Sequence, residues 1–192
     1  MPRHGSILVT SQSQSLAPLL TFRAGLSADV AAIVTLVDSA YRGDSSRRGW
    51  TTEAELLDGQ RTDPDEVAGL VGRAPTEGRV LLTERDGRLL ACCYLERQEN
   101  ACYLGMFSVD PNLQGGRIGR SVLVEAERIA REEWSCTEMK MTVIDVRHEL
   151  LAWYTRRGYE RTGEHKPFPY GDPRSGIPKR DDLRFEVMRK TL

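Results

Sequence analysis

Residues 103 to 123 read YLGMFSVDPNLQGGRIGRSVL: a strand-like run that breaks at Asp110-Pro111 into a glycine-rich turn and opens at once into an amphipathic stretch. That order suits the capture of an anion. Gly115, Gly116 and Gly119 let the backbone approach a ligand closely, and the first turn of a helix offers N–H groups that have no carbonyl partner inside the helix. The aligned peptide dipoles add about half a positive charge there, which favours a phosphate or diphosphate. The surrounding letters exclude the common nucleotide cradles. No GxxxxGK runs into Ser or Thr, and no GxGxxG is followed by an acid at the expected offset.

The elements that must hold this turn in place are legible from periodicity and breakers. Residues 1 to 18 are rich in Ser and Gln and end at Pro18, which reads as a flexible leader, or as an edge strand through Ile7 to Thr10. Residues 19 to 192 read as one domain, a length that can bury a sizeable core. Leu19 to Arg23 suits a short strand, and Ser27 can cap a helix reaching Tyr41 with Val30, Ile33, Val34 and Val37 on one face. A turn is expected at Arg42-Gly43-Asp44. Thr52 and Glu55 have the offset of a capping box and predict a second short helix before Asp63-Pro64, with a further helical turn over Asp65 to Val71. Val80 to Glu84 and Arg88 to Arg97 flank Asp86-Gly87, a hairpin signal, and Cys102 to Val109 is the strand that enters the glycine-rich turn.

The helix after that turn is expected from Arg117 to Glu133, with Ile118, Val122, Ala126 and Ile129 on its packed stripe. Met139 to Ile144 reads as a strand, and Val146 to Arg157 as a helix stopped by two cations and Gly158. Tyr159 to Glu164 and Leu183 to Arg189 close the chain as strands. Between them lies KPFPYGDPRSGIPKRDD, too long for a plain connection and therefore a candidate lid or substrate wall. Tight turns between the central strands imply antiparallel pairing, so the fold class expected is α/β of the α+β kind: a mixed, mostly antiparallel sheet of about six to seven strands with about four helices.

Composition narrows the partners. Lys and Arg total 27 against 28 Asp and Glu, with 40% apolar residues, so no global field points to nucleic acid or membrane. Cys92, Cys93, Cys102 and Cys136 show no CxxC spacing, and His4, His148 and His165 do not lie at metal-ligand spacing to them. Reduced core thiols, a cytoplasmic setting and no metal are expected. Ile7-Leu8-Val9 is too short for a signal-peptide core, and no stretch approaches the roughly 18 apolar residues of a membrane span.

The segment VDPNLQGGRIGRSVL resembles the coenzyme A pyrophosphate loop of the GNAT superfamily of N-acetyltransferases, whose signature is Gln/Arg-x-x-Gly-x-Gly/Ala after a strand. LLAWYTRRGYERTGE, one strand downstream, resembles the second signature of that family, an aromatic-tyrosine helix ending in Gly-Phe or Gly-Tyr. The likeness runs from about residue 19 to 190. It implies acetyl-CoA as cosubstrate, with its diphosphate on Gln114, Gly115, Gly116, Arg117, Ile118, Gly119 and Arg120, and with Phe107, Ser108 and Val109 offering backbone to the pantetheine arm. It also implies direct transfer of the acetyl group to a primary amine of a small molecule or peptide. The rival from another class is a silent acyl-CoA-binding sensor on the same fold. A homodimer is compatible with the likeness, but no sequence feature demands one.

One letter departs from the signature: Arg117 stands where the first glycine belongs. Arginine keeps its N–H and tolerates helical dihedrals, and its guanidinium could contact phosphate; crowding of the diphosphate is the competing outcome. Tyr154 aligns with the family's general acid, since a phenol with a pKa near 10 is protonated at neutral pH and could serve a departing thiolate. Glu96, near the end of the strand before the cofactor strand, is the carboxylate best placed by sequence for a general base, with His148 and His165 as alternatives. Tyr41, Trp50, Phe168 and Tyr170 are candidates for the acceptor walls, and Asp63, Asp65 and Glu66 could attract an amine.

Overall fold

The structure, a computed structural model, describes residues 19–172 and 175–192, so the expected leader lies outside the described residues. In chain order the strands are β1 (Thr21–Ala24), β2 (Leu57–Asp58), β3 (Gly78–Arg85), β4 (Arg88–Gln98), β5 (Ala101–Val109), β6 (Glu138–Ile144), β7 (Glu160–Pro167), β8 (Ile177–Pro178) and β9 (Arg184–Thr191). The longer helices are α1 (Val30–Tyr41), α3 (Pro64–Gly72), α4 (Ile118–Arg128) and α5 (His148–Thr155). A single turn, α2 (Gly43–Ser46), occupies the expected bend after α1.

Strand pairing follows the encoded turns. Asp86 and Gly87 both take positive φ, 52° and 72°, the backbone that a two-residue hairpin between right-twisted strands needs. Seven strands form one sheet in the order β1-β3-β4-β5-β6-β9-β7, antiparallel at every junction except β5 with β6. That parallel pairing is short. It joins only Ala101–Tyr103 to Glu138–Lys140, beyond which the two strands part. Just past this point β5 carries a bulge: Met106 and Phe107 oppose the single residue Cys93, and Met106 sits at φ 49°.

Side-chain alternation sends neighbouring strand residues to opposite faces, each closed by helices. Leu81, Leu95 and Leu104 pack with the α4 stripe Ile118, Val122 and Ala126 and with Leu151 of α5. Val80, Leu82 and Cys92 pack on the other face against Ile33 and Val37 of α1 and Val67 and Val71 of α3. Burying each of the larger aliphatic side chains contributes about 1.5–3 kcal/mol. All four cysteines are buried free thiols, and burial pushes Cys92 and Cys102 up to about 12.

Two local expectations are corrected. Ser27 does not cap the first helix; the turn of Ser27–Asp29 that opens it is closed by the Asp29 carboxylate, which accepts the Leu26 N–H at 2.8 Å and a forked pair from Arg23 at 2.7 and 2.8 Å. A charged acceptor gripped by a guanidinium outcompetes a lone hydroxyl. The helix expected from Thr52 also does not form. Thr52 spends its hydroxyl on Ser46 and on the Ala54 N–H, and Glu55 turns to Arg47. Glu53 is drawn inward to Arg42 and Arg147, and the chain continues as the short strand β2, paired with β8 from the long loop. The expected Asp65–Val71 turn is a full helix, α3, with Asp63 accepting the Glu66 N–H and Pro64 in its first turn.

Glu53 is almost fully buried, and burial opposes its ionisation, yet Arg147, Arg42 and Arg61 together hold its carboxyl below the usual range. Removing the charge leaves buried guanidinium groups uncompensated. Glu53→Gln is expected to lower unfolding stability in urea by about 3–5 kcal/mol. Because the folded-state pKa is depressed, the Glu53 contribution is complete above the unfolded carboxylate value and is lost as pH falls through the folded one. The mutant should therefore show a shallower loss of stability below about pH 4 than the parent, measured by urea midpoints across pH.

Candidate functional site

The parting of β5 and β6 opens a wedge that two cavities share. The first, of 440 Å³, lies between the C-terminal half of β5, the loop after it, the start of α4 and one face of α5. The second, of 280 Å³, fills the gap between Leu104–Phe107 and Met141–Ile144. Tyr154 lines both.

Local sequence explains the first cavity. Asp110 accepts the Asn112 N–H at 3.0 Å and holds a single turn of Pro111–Leu113, which carries the chain off the sheet. Gly115 then takes φ 88°, and α4 starts with its first buried contact at Ile118. The amides of Ile118, Gly119 and Arg120 have no carbonyl partner among the described residues, as expected of a first helical turn. Arg117 sits at φ 65°, the left-handed region, as the residue before the helix. The expectation of helical dihedrals is thereby corrected: this is a glycine-type position held by an arginine, at a cost of about 1–2 kcal/mol. Its reward is charge. The side chains of Arg117 and Arg120 have no acidic partner among the described residues, and both face the cavity.

Gln114 acts through its side chain, which sequence reading did not foresee. Its amide oxygen accepts the Trp50 N–H at 2.9 Å, and its nitrogen donates to Thr51 Oγ1 at 2.7 Å and to the Val109 carbonyl at 3.3 Å. It straps the Trp50–Thr51 segment to the end of β5. Gly49 makes room, since a Cβ there would stand 2.6 Å from Gln114 Oε1.

Leu150, Trp153 and Tyr154 of α5, with Arg157 in the turn just after it, share one face at helical spacing and form the opposite wall. The same spacing around Tyr154 was the signal that could have found the other three. Trp153 packs edge-on to Tyr154 at 5.0 Å and near Trp50 at 6.3 Å, while Arg157 stacks on Trp153 at 3.5 Å. Burial and the neighbouring Arg156 and Arg120 lower the Arg157 pKa, and its buried Nε has no hydrogen-bond partner. Burial raises Tyr154 well above an ordinary phenol, so it stays protonated. Tyr41 is half-buried; desolvation pushes its phenol up to about 12, and it donates to the Phe107 carbonyl at 2.8 Å, with Arg61 and Arg147 over its ring at 5.3 and 5.9 Å.

Of the residues expected to hold a cofactor, Phe107, Val109, Gln114, Gly115, Arg117, Gly119 and Arg120 line the first cavity; Ser108, Gly116 and Ile118 do not. Ser108 and Ile118 face the core, and the carbonyls of Phe107 and Val109 are already engaged by Tyr41 and Gln114. Tyr41 and Trp50 join the first cavity and Phe168 the second, whereas Tyr170 lines neither and uses its hydroxyl on the Leu183 N–H and the Arg180 carbonyl. Glu96, the carboxylate expected as a base, is paired with Arg73 at 3.1 Å and lines neither cavity. His148 is exposed, His165 lies 3.7 Å from Glu186, and neither reaches the wedge; nor do Asp63, Asp65 and Glu66. Arg42, Glu53, Arg61 and Arg147, which dominate the second cavity, escaped the sequence reading because their partners are distant in the chain.

The first cavity fits an extended, anionic ligand. Gly119 has no side chain where a Cβ would stand 3.6 Å from Trp153 and Val109 and 3.7 Å from Phe107, all of them cavity walls. Fold and cleft together define a mixed α/β protein with an arginine-rich helix start beside a parted strand. The chain belongs to the acetyltransferase (GNAT) family, whose profile matches residues 41–159. Solved structures agree on the fold. The ribosomal-protein-alanine N-acetyltransferase from Brucella melitensis is 21% identical with a TM-score of 0.67, the match covering 90% of this chain and 99% of that one. The yncA structure from Salmonella typhimurium with its cofactor acetyl-CoA is 19% identical with a TM-score of 0.66, covering 91% and 94%. The PaiA N-acetyltransferase from Thermoplasma acidophilum, in complex with coenzyme A, is 15% identical with a TM-score of 0.63, covering 91% and 99%. No curated relative matches the sequence.

Two substitutions separate space from strain. Gly119→Ala meets only ordinary contacts and gains about 0.5 kcal/mol of helix propensity, so its melting temperature should hold or rise while acetyl-CoA affinity, read by calorimetry, falls about tenfold or more. Arg117→Gly should raise the melting temperature by about 2–4 °C as the left-handed strain is relieved. It should also weaken acetyl-CoA binding and flatten its salt dependence, because one unpaired cation has gone.

Proposed function

We propose that this protein transfers an acetyl group from acetyl-CoA directly to a primary amine. The observation that supports this most is the position of Tyr154, on the wall shared by a cationic cleft suited to a diphosphate and a second cavity suited to an acceptor. When bound, acetyl-CoA supplies a thioester whose carbonyl is open to attack. The unpaired amides of Ile118 to Arg120, with Arg117, Arg120 and Arg157, hold its anionic part. The wedge between β5 and β6 sets the reacting groups together, and such positioning accounts for much of the rate in direct transfers.

Tyr154 donates a hydrogen bond to the departing sulfur. Because burial raises its phenol, complete transfer of the proton to a thiolate whose conjugate acid has a pKa of about 8.5 would be uphill. Its role is therefore to stabilise the thiolate as charge develops, which is worth more in a site shielded from water. Proton removal from the amine has a different basis. Among the described residues the one carboxylate lining the acceptor cavity, Glu53, is clamped by Arg42 and Arg147 and is too weak a base for the task. Nearby guanidinium groups instead lower the pKa of an ammonium, so the amine loses its proton to water.

Acetyl-CoA should protect the purified protein against heat, and an amine panel should release free thiol. Tyr154→Phe should retain acetyl-CoA affinity and lose about tenfold to a thousandfold in kcat. A chain that binds acetyl-CoA but turns over no amine would be a sensor. The rate should rise with pH on a single limb set by the acceptor amine, and Glu96→Gln should leave kcat/KM within about twofold of the parent and the limb unmoved.

A further inference from the structure

The acceptor cavity carries more positive charge than its one acid can balance. Among the described residues three guanidinium groups, Arg42, Arg61 and Arg147, line it against a single carboxylate, Glu53. Arg42 and Arg147 are spent on Glu53, and Arg147 also donates to the Thr51 carbonyl. Arg61 is the surplus. Its backbone N–H is fixed by Asp38 at 2.8 Å and its guanidinium lies over the Tyr41 ring at 5.3 Å, yet no described side chain accepts a hydrogen bond from that guanidinium. Of the other acids whose charge bears on it, Glu66 accepts from Thr62 at 2.8 Å and does not line the cavity. A second donor also stands without a partner, the buried Nε of Arg42, against which Gly176 of the long loop packs. The facing wall is apolar, built from Leu57, Ile144, Phe168 and Phe185.

From this we infer that the acceptor is a small amine that also carries a carboxylate, with Arg61 as the residue that receives it. The inference rests on the acetyl-transfer reading above and names the substrate class of the same site. A forked guanidinium matches a carboxylate in shape and charge, and a cavity of 280 Å³ suits a molecule of amino-acid size. The same field repels polyamines, which bring further positive charge, and it favours the neutral form of the attacking amine. Holding the carboxylate at Arg61 leaves the amine free to lie toward Tyr154, where the two cavities meet.

The test compares glycine, β-alanine and 4-aminobutyrate with amines of equal length that bear an amide in place of the carboxylate, following thiol release. For at least one length, kcat/KM should favour the carboxylate form by about tenfold or more. Arg61→Gln should bring that ratio toward one, mainly through KM, and Arg61→Lys should restore part of it. A ratio near one in the parent, or a preference for diamines, overturns the proposal. Calorimetry keeps this result apart from a failure of the acetyl-transfer reading. In the presence of coenzyme A, the N-acetyl derivatives of the carboxylate forms should bind the parent about tenfold more tightly than those of the amides. Equal binding overturns the proposal whether or not the chain turns over any amine.

Discussion

The site depends on one constraint: β5 and β6 pair for three residues and then part. Seven strands, two packed faces and four longer helices hold a sheet whose middle is deliberately incomplete. Parallel strands side by side would ordinarily continue their ladder, because unpaired backbone groups away from water are costly. Here the bulge at Met106 turns β5 away, and side chains take up what the ladder gives up. Tyr41 donates to the Phe107 carbonyl and Gln114 to that of Val109, so the opened edge is held by residues from α1 and from the loop before α4. The wedge is stable because its rim is tied down, and it is useful because its interior is not filled.

The second structural decision is the burial of Glu53. An isolated carboxylate in a core would shed its charge by taking up a proton. Arg42 and Arg147 make ionisation favourable, and in doing so they tie the segment after α2 to the start of α5. Arg147 then extends the tie to the Thr51 carbonyl, next to the residue that Gln114 straps from the other side. Segments from four parts of the chain thus meet around one charge. Replacing such a cluster by apolar groups would often stabilise a fold, so its presence is better explained by what it offers the cavity: cations held rigidly at the acceptor wall.

The architecture was legible because its signals are local. Asp86-Gly87 specifies a hairpin, the Ile118, Val122, Ala126 and Ile129 stripe specifies a packed helix, and two short signatures one strand apart specify a family. What escaped was non-local. The capping-box spacing at Thr52 and Glu55 is genuine, but Ser46 and Arg47 offered those two residues better partners while Arg42 and Arg147 drew Glu53 inward, and no periodicity reports a partner 94 positions away. Arg117 shows the opposite failure. Its letter suggested ordinary helical backbone, whereas the turn geometry inherited from a glycine position forced it to a left-handed φ. Glu96 was placed on the correct strand, but strand position alone does not say which end of the sheet faces the wedge.

Arg117 and Arg61 frame the chemistry from opposite ends. Each is a cation whose guanidinium has no hydrogen-bonded acidic partner among the described residues, one lining the first cavity and one the second. Burial opposes the Arg61 charge while Tyr41, Glu53 and Glu66 support it, and guanidinium groups with free donors still attract anions. A fold that keeps them therefore gains stability from its ligands, more from the one whose charge is fixed than from the one whose charge titrates. A diphosphate is anionic at every physiological pH. The attacking amine is not neutral there, and the same guanidinium groups that would draw in its carboxylate also shift its ammonium toward loss of a proton. In the acetyl-transfer reading proposed above, binding and activation of the acceptor arise from one electrostatic field, so a cavity whose one described carboxylate is clamped between arginines prepares an amine for attack without a dedicated base.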